Sequence, residues 1–303
     1  MMSLQISGYV ELPEHTCKGG FDHADIHTGK GLLYVAHTAN DAIDVIDCRN
    51  DKYLYSINNL PRVAGALVFE PEDLVFTSNR GETTVNLFKC GREEEPVKVD
   101  VGNNPNGLAY DPESCLLLCG NVSEPYTVSI VDVKKGSMLC SVPVPGRTRW
   151  TMFDRNTKAF YININEPARI AVIERDSPSR VAKYIDIPAS GPHGLGLDED
   201  KGRLYCACDE KKLITLDIGS GRVINELALS GGPDVVFFNK AKQHLYVAIG
   251  NPGVIDVIDT GAMNLLETME TEKGAHTIAF DSVSNKVYAF LSETHRALVF
   301  IDN

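Results

Sequence analysis

Three observations predict an all-β, seven-bladed β-propeller. A unit of about 40 residues recurs seven times, each copy alternates apolar and polar residues with period two, and Gly or Pro stands at nearly every junction. Aligning the copies on one residue of the second strand gives Tyr34, Val75, Leu118, Tyr161, Tyr205, Tyr246 and Tyr288, with spacings of 41, 43, 43, 44, 41 and 42 residues. The period of two excludes helices as the repeating element.

The first copy is the clearest. Phe21–Ile26, Leu32–Ala36 and Ala42–Ile46 read as three short strands, joined by turns that carry Gly29 and Gly31, then Asn40 and Asp41. Every copy opens on a small-residue strand, and its third strand ends on an acid or, once, a lysine: Asp47, Lys89, Asp132, Glu174, Asp217, Asp259 and Asp302. Blades are expected to start near residues 20, 62, 105, 148, 192, 233 and 275 of a single domain spanning 1–303. The last copy stops after its third strand, and Leu4–Leu12 has no place in the first. That segment is therefore expected to complete the last blade and close the ring, which removes two free sheet edges.

Composition narrows the function classes. An apolar content of 43% with 23% charged residues describes a soluble globular chain. The net charge of −12 argues against a nucleic-acid partner, whose phosphates call for clustered Lys and Arg. No apolar run approaches the roughly 20 residues that span a bilayer. The opening MMSLQISGYVELPEH lacks the basic start and apolar core of an export signal. Eight cysteines without such a signal point to a reducing, cytoplasmic setting and free thiols. Cys206 and Cys208 share one strand face without zinc spacing and are expected to pack.

The repeat turns sequence into position. Twelve residues before each anchor lies the first position of the innermost strand: Asp22, Asn106, Arg149, His193, Asp234 and His276, with Val63 or Ala64 in the shortened second copy. Six polar side chains are thus expected to converge on the mouth of the central channel. One account is a small-molecule site; the plainer one is strand-start turn chemistry around channel water. Arg149 either clamps a substrate anion or pairs with a rim acid such as Asp234.

Copy one departs furthest from the repeat. His23 and Asp25 replace the small residues found at Gly107, Gly194, Ala109, Gly196 and Ala279, and His37 ends the second strand. Burying such groups is costly unless they pair or bind something. Asp22, His23, His37 and His276 are accordingly expected to hold or flank a divalent metal ion such as Zn, Mn, Fe, Mg or Ca. The alternative is a buried His23–Asp25 pair with no ligand. A His/Asp/Glu cluster is also expected at the seam of blades 1 and 7, with Glu293 and His295. His27 aligns with the turn aspartates Asp111, Asp154, Asp198 and Asp281 and is read as a turn residue.

Tyr34-Val35-Ala36-His37, Tyr246-Val247-Ala248-Ile249 and the Gly102–Asp111 and Gly191–Asp198 segments resemble the YVTN-repeat, YncE-like propellers over essentially the whole chain. That resemblance implies the architecture. Pro192-His193-Gly194 and Ala275-His276-Thr277 look like the histidine-bearing repeats of propeller lyases such as the streptogramin lyases, and propeller lactonases bind a metal at the same mouth. This weaker resemblance implies metal-assisted hydrolysis or elimination of a compact polar substrate. His193 would be the base, His276 a catalytic or metal-binding residue, and Asn106, Arg149 and Asp234 would bind substrate. The lyases pair their histidine with a glutamate at the end of a second strand. Here those positions are His37, Ser78, Asn121, Ile164, Cys208, Ile249 and Leu291. The alternative is a non-catalytic propeller that binds a ligand or a protein partner. Signatures of P-loops, dinucleotide folds, nucleophile elbows and zinc-protease helices are absent.

Overall fold

The computed structural model describes residues 4–303. Within them, 28 strands form seven four-stranded antiparallel sheets, the blades of a propeller. The inner strands run Phe21–His27, Val63–Phe69, Pro105–Asp111, Thr148–Asp154, Pro192–Asp198, Val236–Asn239 and Ile278–Asp281. Blade 7 takes its outer strand from the start of the chain. Leu4–Glu11 pairs antiparallel with Arg296–Asp302, from Leu4 opposite Asp302 to Glu11 opposite Arg296. Leu4, Val10 and Leu12 are buried, and Arg296 Nε lies 2.9 Å from Glu11 Oε1. The expected closure is thus observed.

The anchor residue of the second strand explains the period. Tyr34, Tyr161, Tyr205, Tyr246 and Tyr288 are all fully buried. Three of them also reach the following blade with the phenol. Tyr34 Oη donates to Cys90 Sγ of blade 2 at 2.9 Å, Tyr246 to Asp302 of blade 7, and Tyr288 to Asp51 Oδ1 of blade 1 at 2.6 Å. Each ring contributes on the order of 2 kcal/mol by burial, and its hydroxyl fixes the angle to the neighbour. A residue that packs one blade onto the next must recur once per blade.

Turns at the far ends of the inner strands use a side-chain acceptor. Asp154 accepts from the amides of Asn156 and Thr157, and Asp281 from those of Val283 and Ser284. His27 performs the same task with Nδ1, which accepts from the Lys30 amide at 3.2 Å, while Nε2 sits 2.8 Å from Asp73 Oδ1. No helix among the described residues is long and apolar enough to cross a membrane.

Candidate functional site

The channel mouth is built on β-bulges. In five inner strands the register with the second strand slips between Phe21 and Ala24, Val63 and Gly65, Pro105 and Leu108, Thr148 and Thr151, and Pro192 and Gly194. The residues left out of the ladder are Asp22 and His23, Ala64, Asn106 and Gly107, Arg149 and Trp150, and His193. A bulge re-aims side chains that a regular strand would send into the sheet. Carbonyls in or beside the bulges are held by the preceding blade: Thr38 Oγ1 donates to Val63 O, Ser78 Oγ to Asn106 O, and Asn163 Nδ2 to His193 O, at 2.6, 2.7 and 2.9 Å. Gly107 and Gly194 make room for this stacking, since a Cβ there would lie 2.8 Å from Arg149 O and 2.1 Å from Asp234 O.

The result is a polar cavity of about 170 Å³ lined by Asp22, His23, Arg80, Asn106, Arg147, Arg149, Trp150, His193, Asp234 and His276. His193 is its centre. Nδ1 lies 2.8 Å from Asp209 Oδ1, and Nε2 lies 3.1 Å from Arg149 Nη1 and 3.2 Å from Asp234 Oδ1. With Nδ1–H donating to Asp209, Nε2 of the neutral ring accepts from Arg149, and Nε2–H of the imidazolium donates to Asp234. Both proton states therefore have a partner. Opposite, Arg80 Nη2 holds Asp22 Oδ2 at 3.0 Å, and the His23 ring packs on Trp150 with centroids 4.3 Å apart.

Electrostatics divide the cavity. Burial would raise Asp209 and Asp234. For Asp209, the hydrogen bond and charge of His193, with Arg149, outweigh it; for Asp234, the charges of His193, His276, His23 and Arg149 do so, and both acids sit below their usual range. Burial also works against the charge of His276. Asp234, the Gly274 carbonyl 2.7 Å from Nδ1, and Asp22 overcome it, so His276 is raised above 6.5. His23 goes the other way, because burial dominates and lowers it. Burial and then Arg147 depress Arg149. Among the described residues, Arg80 Nε, Arg149 Nε and the Asn106 Oδ1 acceptor are buried without a hydrogen-bond partner.

Of the residues expected at this site, Asp22, His23, Asn106, Arg149, His193, Asp234 and His276 line one cavity. His37 does not, which corrects the expected ligand set. It pairs across the sheet with Phe21, so its ring follows Phe21 toward blade 7, at 4.4 Å between centroids, while Asp22 points into the channel. Fully buried, it sets Nδ1 2.7 Å from Asp44 Oδ2. His15 lies between His37 and His295, with centroids 4.9 and 4.4 Å away, so the seam cluster holds His37 and His295 as expected, joined by His15 and Asp44, while His276 lines the mouth. His23 and Asp25 are not a pair either: Asp25 accepts from the Ile26 and Val68 amides at 2.8 and 2.7 Å. Among the described residues, no group of three or more His, Cys, Asp or Glu side chains is arranged to hold a metal ion. With Asp22 engaged by Arg80, the expected metal finds no fitting ligand set. Cys206 and Cys208 are buried free thiols.

Two residues of the site are not marked by the repeat. Asp209 follows the second strand of blade 5, one residue past Cys208. Arg80 stands just past the second strand of blade 2 and reaches the mouth where Ala64 offers no polar group.

No family model matches the chain, and no curated protein matches it. Among solved structures, a hydrazine synthase chain of Kuenenia stuttgartiensis is similar over 95% of this chain and 96% of that one, with a TM-score of 0.81 and 12% identity. At that identity the likeness shows the fold alone.

Proposed function

We propose that the channel mouth binds a compact carboxylate-bearing substrate and opens it by proton transfer, as an eliminating lyase. The observation that supports this most is the placement of His193, with Asp209 behind it and with a donor and an acceptor facing Nε2. Arg149 and Arg147 would bind the carboxylate, and an anion there offsets both the burial and the mutual repulsion that weigh on Arg149. Asn106 would orient a neighbouring polar group.

In the reaction, neutral His193 Nε2 takes the proton from the carbon beside the carboxylate. The C–H electron pair becomes the new double bond and expels the oxygen leaving group on the next carbon. His276, the histidine held toward its charged form, returns a proton to that oxygen. Because the described mouth residues do not make up a metal's ligand set, with Asp22 held by Arg80, this reading prefers elimination to the metal-assisted hydrolysis that the lactonase resemblance implies. The acid offset by one residue from the lyase position, Asp209, restores the histidine–carboxylate pairing that the sequence pattern lacked.

The test is a panel of β-acyloxy and lactone carboxylates, followed by the ultraviolet absorbance of the conjugated product. Turnover by the wild type, reduced about 10²–10⁴-fold in His193→Ala with binding retained, supports the reading. Binding without turnover would leave a ligand-binding propeller, and no binding would reject the site.

A further inference from the structure

Beneath the polar mouth lies a second cavity of about 190 Å³, lined by Asp25, Ala66, Leu108, Thr151, Met152 and Phe237 together with His23 and Trp150. These residues follow the mouth residues by one to three positions on the same inner strands, so the chamber is the next layer of the channel. Its character is opposite: apart from Asp25 and Thr151, the deeper side chains are apolar. Burial lifts the Asp25 carboxyl from 3.8 to about 6 in spite of two backbone hydrogen bonds, as an apolar, water-poor setting requires. His23 and Trp150 line both cavities, and their rings, tilted 40° with centroids 4.3 Å apart, stand at the boundary between them.

We propose that the ligand of this site is a one-headed amphiphile, a monocarboxylate whose short apolar tail passes the His23–Trp150 pair and fills the chamber. The proposal rests on the reading of the mouth as a carboxylate site. The head stays with Arg147 and Arg149, where charge-assisted bonds are available. The tail meets Ala66, Leu108, Met152 and Phe237, which are unable to hydrogen-bond and gain only from apolar contact. A second carboxylate at the tail end would be driven against Asp25, so dicarboxylates are excluded by the same chamber that accepts a hydrocarbon.

The experiment is calorimetric titration of the full chain with the straight-chain acids from acetate to octanoate, and with adipate against hexanoate. Affinity is expected to rise about three- to fourfold per methylene until the chamber is full, and adipate to bind more weakly than hexanoate. Trp150 is the sole tryptophan. Its fluorescence should therefore shift further with each longer acid than with acetate, a readout that needs no variant. Ala66→Leu should shorten the preferred chain while leaving acetate affinity unchanged.

Equal affinity for all chain lengths, or octanoate affinity unmoved by Ala66→Leu in a folded variant, overturns the tail site and leaves the mouth reading standing. Failure of every acid to bind, acetate included, defeats the mouth reading and the tail with it.

Discussion

Asp209 Oδ1 stands 2.8 Å from His193 Nδ1, and the two residues belong to adjacent strands of blade 5, one at a bulge and the other just past a strand end. The contact fixes which imidazole nitrogen faces the cavity. Replacing Asp209 by Asn keeps the volume but removes the acceptor charge that selects this tautomer. Turnover should fall about 10²-fold or more, with carboxylate affinity little changed and the acid limb of the rate–pH profile displaced. Loss of affinity without loss of turnover would mean that Asp209 serves Arg149, 3.9 Å away, and not His193.

The seam cluster carries a pH signature of its own. His15 is depressed from 6.5 to about 4, first by burial and then by the neighbouring His37 and His295, against the opposing pull of Asp44 and Glu272. A base with a folded-state value below its unfolded one favours the fold only when neutral. Its contribution is complete above about 6.5 and is lost as the pH falls toward 4. Wild-type stability should therefore decline through that window more steeply than that of His15→Phe, which keeps a ring against Phe21 and has no proton to take up. Parallel curves of Tm against pH for the two proteins would disprove the assignment.

How much of this was legible depends on what repeats. The anchor tyrosines and the closing strand follow from period and alternation, because blade-to-blade packing imposes both on every copy. The mouth residues could be counted back from the anchor for the same reason. His37 could not be placed by counting alone: its cross-strand partner Phe21, not its nearness to the channel, decides the face its ring takes. Asp209 and Arg80 lie just beyond the last paired residues, where loop conformation varies and the repeat sets no direction. The bulges themselves leave no compositional mark apart from Gly107, which lies in one, and Gly65 and Gly194, which follow two others.

The closing strand is expected to be indispensable. Leu4 is fully buried in the core shared by blades 6 and 7, and its amide donates to Glu267 Oε1 at 2.7 Å. Leu4→Ala should cost about 2–5 kcal/mol by denaturant titration. Deleting residues 1–12 uncovers the whole edge of Arg296–Asp302, and the expected product elutes as oligomer or aggregate in size-exclusion chromatography. A monomeric, fully stable truncation would show that closure contributes little.

Glycine 194 ties the fold to the site most directly. It follows the His193 bulge, and a Cβ there would lie 2.1 Å from Asp234 O and 2.6 Å from Val236 Cγ2. The first obstacle is backbone of the next blade, which cannot rotate away as a side chain can. Gly194→Ala must therefore push blades 5 and 6 apart at the point where His193 Nε2 meets Asp234. Overpacking of this kind costs about 1–3 kcal/mol, and a displaced Asp234 would weaken the hold on both His193 and His276. Gly8→Ala is the control, because no atom of the described residues lies within 4 Å of its added methyl and its backbone has no positive φ. The expected outcome is a lowered Tm together with a disproportionate loss of turnover in Gly194→Ala, and neither in Gly8→Ala. Were Gly194→Ala to lose stability yet keep full turnover at a temperature where it is folded, the spacing of His193 and Asp234 would not matter to the chemistry.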